Sequence, residues 1–310
     1  MFLLYKYNTI FRELNTLKTM KKIYLLTTGH LEDGLWFRDE EDFKVAMNYV
    51  AIQAALHPEV VVLAFILMSN HVHFVLRGRR EDVVAFVTQF KRRYALYYFK
   101  KYGVRELLRR NGLDVKLIPA HDEEAVERTV AYVQMNCVAA NICSHPSQYP
   151  WGTGDTFFSA SKPAGKRLDT YSARQRERLM RSRCDKLPGE WHLSDSGYIH
   201  PAEYVAVKGV EALFRTPKRM NFFLQNSSKA RKRLESTDEH LPAFRDQIIL
   251  ASIPDLCRSL FLKDSFRELQ TDEQAEFARQ IRFRFSADAN QIARVCGLSY
   301  AEAARLLEAV

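Results

Sequence analysis

The chain has 310 residues, 47% hydrophobic and 27% charged, with 12 glycines and 10 prolines. That composition excludes a disordered, collagen-like or low-complexity protein and allows two domains, or one with appendages. Lysine and arginine outnumber aspartate and glutamate 46 to 37, a net charge of +9, which points to a polyanionic partner without naming one. The longest apolar run, Val60 to Met68, is far shorter than the roughly 20 residues a membrane span needs, so no membrane association is expected. Five cysteines, odd in number and without a CxxC pair, argue against a disulfide framework or zinc ribbon. They suit free thiols in a reducing cytosol, and a cytoplasmic location is expected.

The first residues hold an apolar stretch too short for a secretory segment, broken at Lys6. Met20 then precedes Lys21-Lys22 and a clear strand, so residues 1–19 are expected to be an N-terminal extension. Lys22 to Glu32 reads as a strand closed by the turn signal Asp33-Gly34. Asp39 to His57 carries Phe43, Met47, Val50 and Ala54 at spacings of three and four, with acidic residues at its start, which predicts an amphipathic helix. Glu59 to Met68 is a continuous apolar, β-branched run, the pattern of a central buried strand. Ser69-Asn70 makes a turn into a second, antiparallel strand, His71 to Leu76. A helix over Arg80 to Tyr102 stops at Gly103, Val115 to Ile118 is extended, and Asp122 caps a helix over Glu123 to Ala140. Helices interleaved with hairpin-linked strands predict an α+β fold: a ferredoxin-like antiparallel sheet with helices on one face.

After Trp151 the composition turns to Ser, Gly, Thr and Pro, then to an arginine-crowded run from Arg167 to Lys186. Residues 156–202 are therefore expected to be a basic linker. Residues 203–310 read as a helical domain. A capping box at Thr271 to Gln274 opens one helix, Ala287 to Cys296 forms a second, and another capping box at Ser299 to Glu302 opens Tyr300 to Ala309 after a Gly297-Leu298 turn. This is a helix-turn-helix pattern, with Arg305 among its few polar contacts. A helical hairpin for protein interaction is the alternative. The clusters Arg174 to Arg183 and Lys229 to Arg233 either contact phosphates or are solvated loops.

The chemistry centres on Asn70-His71-Val72-His73. Strand alternation puts His71 and His73 on one face, with Cα atoms about 7 Å apart, close enough to converge on one metal ion. With nine histidines in the chain such a pair is weak alone. Its weight comes from lying beside the most apolar strand, where imidazoles have no structural use without partners. Tyr132 and Asn136 lie four apart on the helix after Asp122 and so share a face. Read alone, they also fit a core aromatic and a helix-end residue. From Arg77 to Arg110, eleven basic residues face three acidic ones, interleaved with Tyr94, Tyr97, Tyr98 and Tyr102. Arg77, Lys91, Arg92 and Arg93 as phosphate contacts, with Tyr94 and Tyr98 under unstacked bases, suit single-stranded DNA. Tyrosines in the core of a solvated helix are the other reading.

The segments LAFILMSNHVHFVL, FKRRYALYYFKKYG and YVQMNCVAANICSHPSQYPWGT together resemble the REP-associated tyrosine transposases. These are single-tyrosine HUH endonucleases with an insertion sequence 200-like transposase domain. The resemblance spans residues 20–155, with 203–310 as the appended helical domain. It implies that Tyr132 is the nucleophile, that His71, His73 and Asn136 hold Mg²⁺ or Mn²⁺, and that Asn70 lies at the DNA. The substrate implied is single-stranded DNA, at hairpin or palindromic repeat ends, and the enzyme implied is a homodimer. The family's Asn-Pro-Val reads Asn136-Cys137-Val138 here, its Trp-Ser-Ser reads Trp151-Gly152-Thr153, and its tryptophan-rich segment is replaced by LLRRNGLDVKLIPAHDEE. The expected activity is metal-dependent nicking and joining through a 5′-phosphotyrosine. The rivals are a domesticated DNA-binding regulator without turnover, and an RNA-binding protein on the same fold.

Overall fold

A computed structural model describes residues 22–29, 34–104, 112–140, 142–159, 165–184, 186–228 and 244–308. The expected extension at 1–19 and the cluster Lys229 to Arg233 lie outside the described residues. The chain runs β1 (Lys22–Thr28), α1 (Glu40–Leu56), β2 (Val61–Met68), β3 (His71–Gly78), α2 (Arg80–Tyr102), β4 (Leu113–Ile118). The four strands form one sheet in the order β2-β3-β1-β4, every neighbour antiparallel. The fold is α+β. Two more helices follow directly, α3 (Glu123–Gln134) and α4 (Asn136–Ala139), so the helix expected over 123–140 is broken at Met135.

The period of the sequence explains the layers. β2 is apolar throughout because seven of its eight residues are buried. In β3 the alternation places Phe74 on one face, against Phe86 and Phe90 of α2, and His73 on the other, against Tyr132 of α3. The expectation of helices on one face therefore holds for α1 and α2 and is corrected for α3, which covers the opposite face. Asp39 caps α1 by accepting from Asp42 N at 2.9 Å, and α2 ends at Gly103 with φ +72°. Trp36, Phe37, Tyr94 and Phe90 are fully buried in the α1–α2 layer. Each such burial stabilises by about 2–3 kcal/mol.

The edge strand β2 is closed by two later segments. Leu67 N donates to Trp151 O at 2.8 Å, Thr153 N to Phe65 O at 3.1 Å, and Ala206 N to Val62 O at 2.9 Å. Gly152 fits here because a Cβ at that position would stand 2.7 Å from Phe65 O. The other edge, β4, is blunted by the exposed charges Asp114 and Lys116.

The segment expected as a linker is folded. It contains β5 (Gly165–Arg167), α5 (Ala173–Met180) and β6 (His192–Ser194), and it buries Leu168, Met180, Leu187, Leu193 and Ile199 in the core of the sheet. These apolar positions are widely spaced among arginines, so no local pattern announces them. α6 (Val207–Phe214) and α7 (Pro217–Gln225) join the same core. A second core runs from Ile249 to Leu306 and unites α8 (Asp246–Phe261), α9 (Thr271–Phe285), α10 (Ala289–Cys296) and α11 (Tyr300–Glu308). The change of core thus falls after Leu224, not at 202. At α9 the cap sits one residue earlier than the sequence suggests, with Gln270 N donating to Glu273 Oε2 at 2.7 Å. The Ser299–Glu302 box forms at its expected place, with N–H to side-chain distances of 2.8 and 3.2 Å. Among the described residues no helix is long and apolar enough to cross a membrane.

Candidate active site

The two-residue turn Ser69-Asn70 starts β3 with His71, so both imidazoles enter the sheet directly after the hairpin. They are 5% and 2% exposed, and their rings stand perpendicular with centroids 4.8 Å apart. Buried imidazoles need hydrogen-bond partners, and each has one at Nδ1. His71 Nδ1 meets Asn70 Oδ1 at 2.8 Å, and His73 Nδ1 meets Thr27 Oγ1 at 2.9 Å. A carboxamide oxygen only accepts, so His71 carries its proton on Nδ1. With Nδ1 engaged, Nε2 is the atom through which each ring can ligate.

Thr27 is a residue that sequence reasoning missed. It stands opposite His73 in the β1–β3 register. Only that long-range pairing reveals it. The neighbouring Thr28 hydroxyl accepts from Val72 N at 3.0 Å and fixes the backbone between the two histidines.

Helix α3 delivers the phenol. The Tyr132 and His73 rings are perpendicular, centroids 5.8 Å apart. Helix α3 is anchored by Glu127, whose buried carboxylate accepts from Arg219 of α7 at 2.6 and 2.7 Å in a bidentate pair. Tyr132 is half-buried, and that burial pushes its phenol pKa up, so the hydroxyl is protonated at neutral pH. It opens onto a cleft of about 1070 Å³ whose walls include Thr27, Asp114, Lys116, Arg128 and Thr129.

Asn136 lies one turn beyond Tyr132 and is buried. Its Nδ2 donates to the carbonyls of Tyr132 (2.9 Å) and Val133 (3.1 Å) at the break between α3 and α4. The amide nitrogen thus satisfies the helix end, and Oδ1 is the ligand atom Asn136 can offer. Among the described residues no group of three or more His, Cys, Asp or Glu side chains gathers closely enough to hold a metal ion. The cation site that the resemblance implies would rest on two imidazoles plus a carboxamide, donors that span the preferences of several divalent ions.

The expected DNA-contacting residues divide. Asn70 orients His71. Arg77 is exposed on the same face of β3 as the histidines. Lys91, Arg92 and Arg93 lie on α2, on the far side of the sheet from Tyr132, and the structure does not bring them to its cleft. Burial lowers the Lys91 ammonium pKa. Tyr94 and Tyr98 are corrected from stacking platforms to core residues. They are 0% and 4% exposed, with hydroxyls donating to Trp36 O and Leu35 O. Arg305 is exposed on α11.

Comparison of the chain with family models, with curated proteins and with solved structures finds no match.

Proposed function

We propose that the chain is a metal-dependent enzyme that nicks and rejoins single-stranded DNA through Tyr132, as its resemblance to the REP-associated tyrosine transposases implies. The observation that carries this reading is the meeting of a phenol with two imidazoles, the His73 and Tyr132 ring centroids lying 5.8 Å apart and those of His71 and His73 4.8 Å apart. The β1-α1-β2-β3-α2-β4 order with its central β3-β1 pair supports a ferredoxin-like HUH domain. The Gly297 turn between α10 and α11 supports a helix-turn-helix.

The chain's own groups divide the work. His71, His73 and Asn136 would hold a divalent cation, Mg²⁺ or Mn²⁺. When bound, it supplies Lewis-acid polarisation of the scissile phosphate. Thr27 and Asn70 hold the two imidazoles in orientation. Tyr132 Oη attacks phosphorus as its proton leaves to solvent, and the P–O3′ bond breaks. The products are a 5′-phosphotyrosine and a 3′-oxygen that takes up a proton as a hydroxyl. Attack by another 3′-hydroxyl reverses the step and joins strands without ATP. Lys116 and Arg128 in the cleft wall suit the strand's phosphates.

Incubation with a 3′-end-labelled single-stranded oligonucleotide and Mn²⁺ tests this. A covalent adduct with the wild type and none with Tyr132→Phe is the expected result. The rival reading is a DNA-binding regulator without turnover. DNA binding without adduct in Mg²⁺, Mn²⁺, Co²⁺ or Ni²⁺ would establish it.

A further inference from the structure

The outer surface of the α1–α2 layer carries a second feature that the Tyr132 site does not use. A groove of about 1620 Å³ runs between α2 and the segment from α5 to residue 183. Arg93, Leu96 and Lys100, at spacings that share a helix face, form one wall, turned away from the sheet-facing Phe90 and Tyr94. Arg174, Arg178, Arg181 and Arg183 stand on the other. The acidic residues of the groove are Glu41 and Glu177, which pair with Arg181 at 3.1 Å and Arg183 at 2.7 Å. Lys100, Arg174 and Arg178 are exposed and form no ion pair among the described residues. Arg93 lies over the Tyr49 ring at 5.8 Å, its Nη1 donates to Ser182, and its buried Nε has no acceptor among the described residues. Cations gathered on two facing walls repel one another unless an anion lies between them.

We propose that this groove binds the phosphate backbone of duplex nucleic acid, a segment separate from the strand at Tyr132. The recessed shape does not suit a flat bilayer. The two tyrosines in the groove are already engaged: Tyr49 is 2% exposed, and Tyr97 donates to Asp42 at 3.0 Å with the Lys101 ammonium 5.7 Å from its ring centroid. Unstacked bases therefore find no platform here, while cations alone grip the backbone of a duplex whose bases stay paired. The groove and the Tyr132 cleft lie on opposite sides of the sheet, so one protein engages two segments of nucleic acid at once.

Fluorescence anisotropy of the full chain with a labelled 20-base-pair DNA duplex, titrated at several salt concentrations, tests the groove. Arg174→Gln with Arg178→Gln is expected to weaken binding about tenfold and to lower the slope of log affinity against log salt by about 2. Arg174→Lys with Arg178→Lys keeps the charge and the binding, and serves as the folding control. Tyr132→Phe leaves duplex affinity unchanged, so failure of the nicking reaction and failure of the groove are read separately. An unchanged slope in the Gln pair would overturn the proposal. So would displacement of the duplex by polyglutamate at equal charge concentration, which would assign the groove to an acidic protein.

Discussion

Two tyrosine-bearing clusters lie on opposite faces of the same sheet and are built differently. In the α1–α2 layer the buried carboxylate of Asp42 accepts from Arg38 N (2.8 Å), Tyr97 Oη (3.0 Å), Lys101 Nζ (2.7 Å) and Tyr102 Oη (2.8 Å). Burial and then the Asp42 carboxylate drive the Tyr97 and Tyr102 phenols far up, and burial pushes Tyr98 up to about 12. Every group there answers another within the cluster, and the result ties α1 to α2. On the opposite face the buried His71 and His73 rings pack beside Tyr132, whose own side chain lines a cleft, and among the described residues no acidic group joins the imidazoles in a metal-sized cluster. A closed polar network serves stability. The second cluster instead sets a cleft-lining phenol against two buried imidazoles, the arrangement on which the proposed reaction rests.

The largest separation between the two clusters comes from His73→Ala. Adduct formation in the folded fraction should fall by at least about 100-fold, because in the proposed site the ring would ligate the cation as well as pack against Tyr132, a loss well beyond what the cavity left by the buried ring costs in urea unfolding. Asp42→Ala should do the reverse. Leaving Lys101, Tyr97 and Tyr102 without their shared acceptor costs about 3 kcal/mol in urea unfolding, and the folded fraction keeps adduct formation. Loss of adduct in the fully folded Asp42 variant would show the clusters to be coupled.

A pH series sharpens the contrast further. In the proposed reaction the Tyr132 phenol must lose its proton to attack, and burial raises its pKa above the ordinary value of 10.0. Across pH 7 to 9 the phenolate fraction, and with it the single-turnover rate, should climb about tenfold per pH unit without a plateau. A plateau near pH 7 would mean that bound cation or DNA brings the phenol pKa down by several units. Thr27→Val has the smallest expected effect, about tenfold on adduct formation, since it frees the His73 ring while leaving the proposed ligand set intact. Thr27→Ser should restore the rate, as a merely packing role would not allow.

The parts of this arrangement that a sequence can express are local. The hairpin at Ser69-Asn70, the shared face of His71 and His73, and the one-turn spacing of Tyr132 and Asn136 depend on period and turn chemistry alone. Thr27 depends on the register between β1 and β3, separated by 46 residues of chain. Tyr94 and Tyr98 look like a DNA face because basic residues alternate with them, yet the 3.6-residue period turns them toward Trp36 and Leu35 while Arg92 points to solvent. The run from Arg167 to Lys186 fits the composition of a linker, but Leu168 and Met180 bury against the first core while Arg174 and Arg178 between them line the groove. Composition reports what faces water and is silent on isolated anchors.

The most direct measurement is peptide mapping of the covalent product. Wild-type protein is trapped with a 3′-end-labelled single-stranded oligonucleotide and Mn²⁺, digested, and read by mass spectrometry. The phosphotyrosine is predicted on the peptide carrying Tyr132, with none from His71→Ala or His73→Ala. A phosphotyrosine at Tyr97 or Tyr102, or an equal yield of adduct from the two histidine variants, would contradict the convergence of imidazoles and phenol on one reacting phosphate.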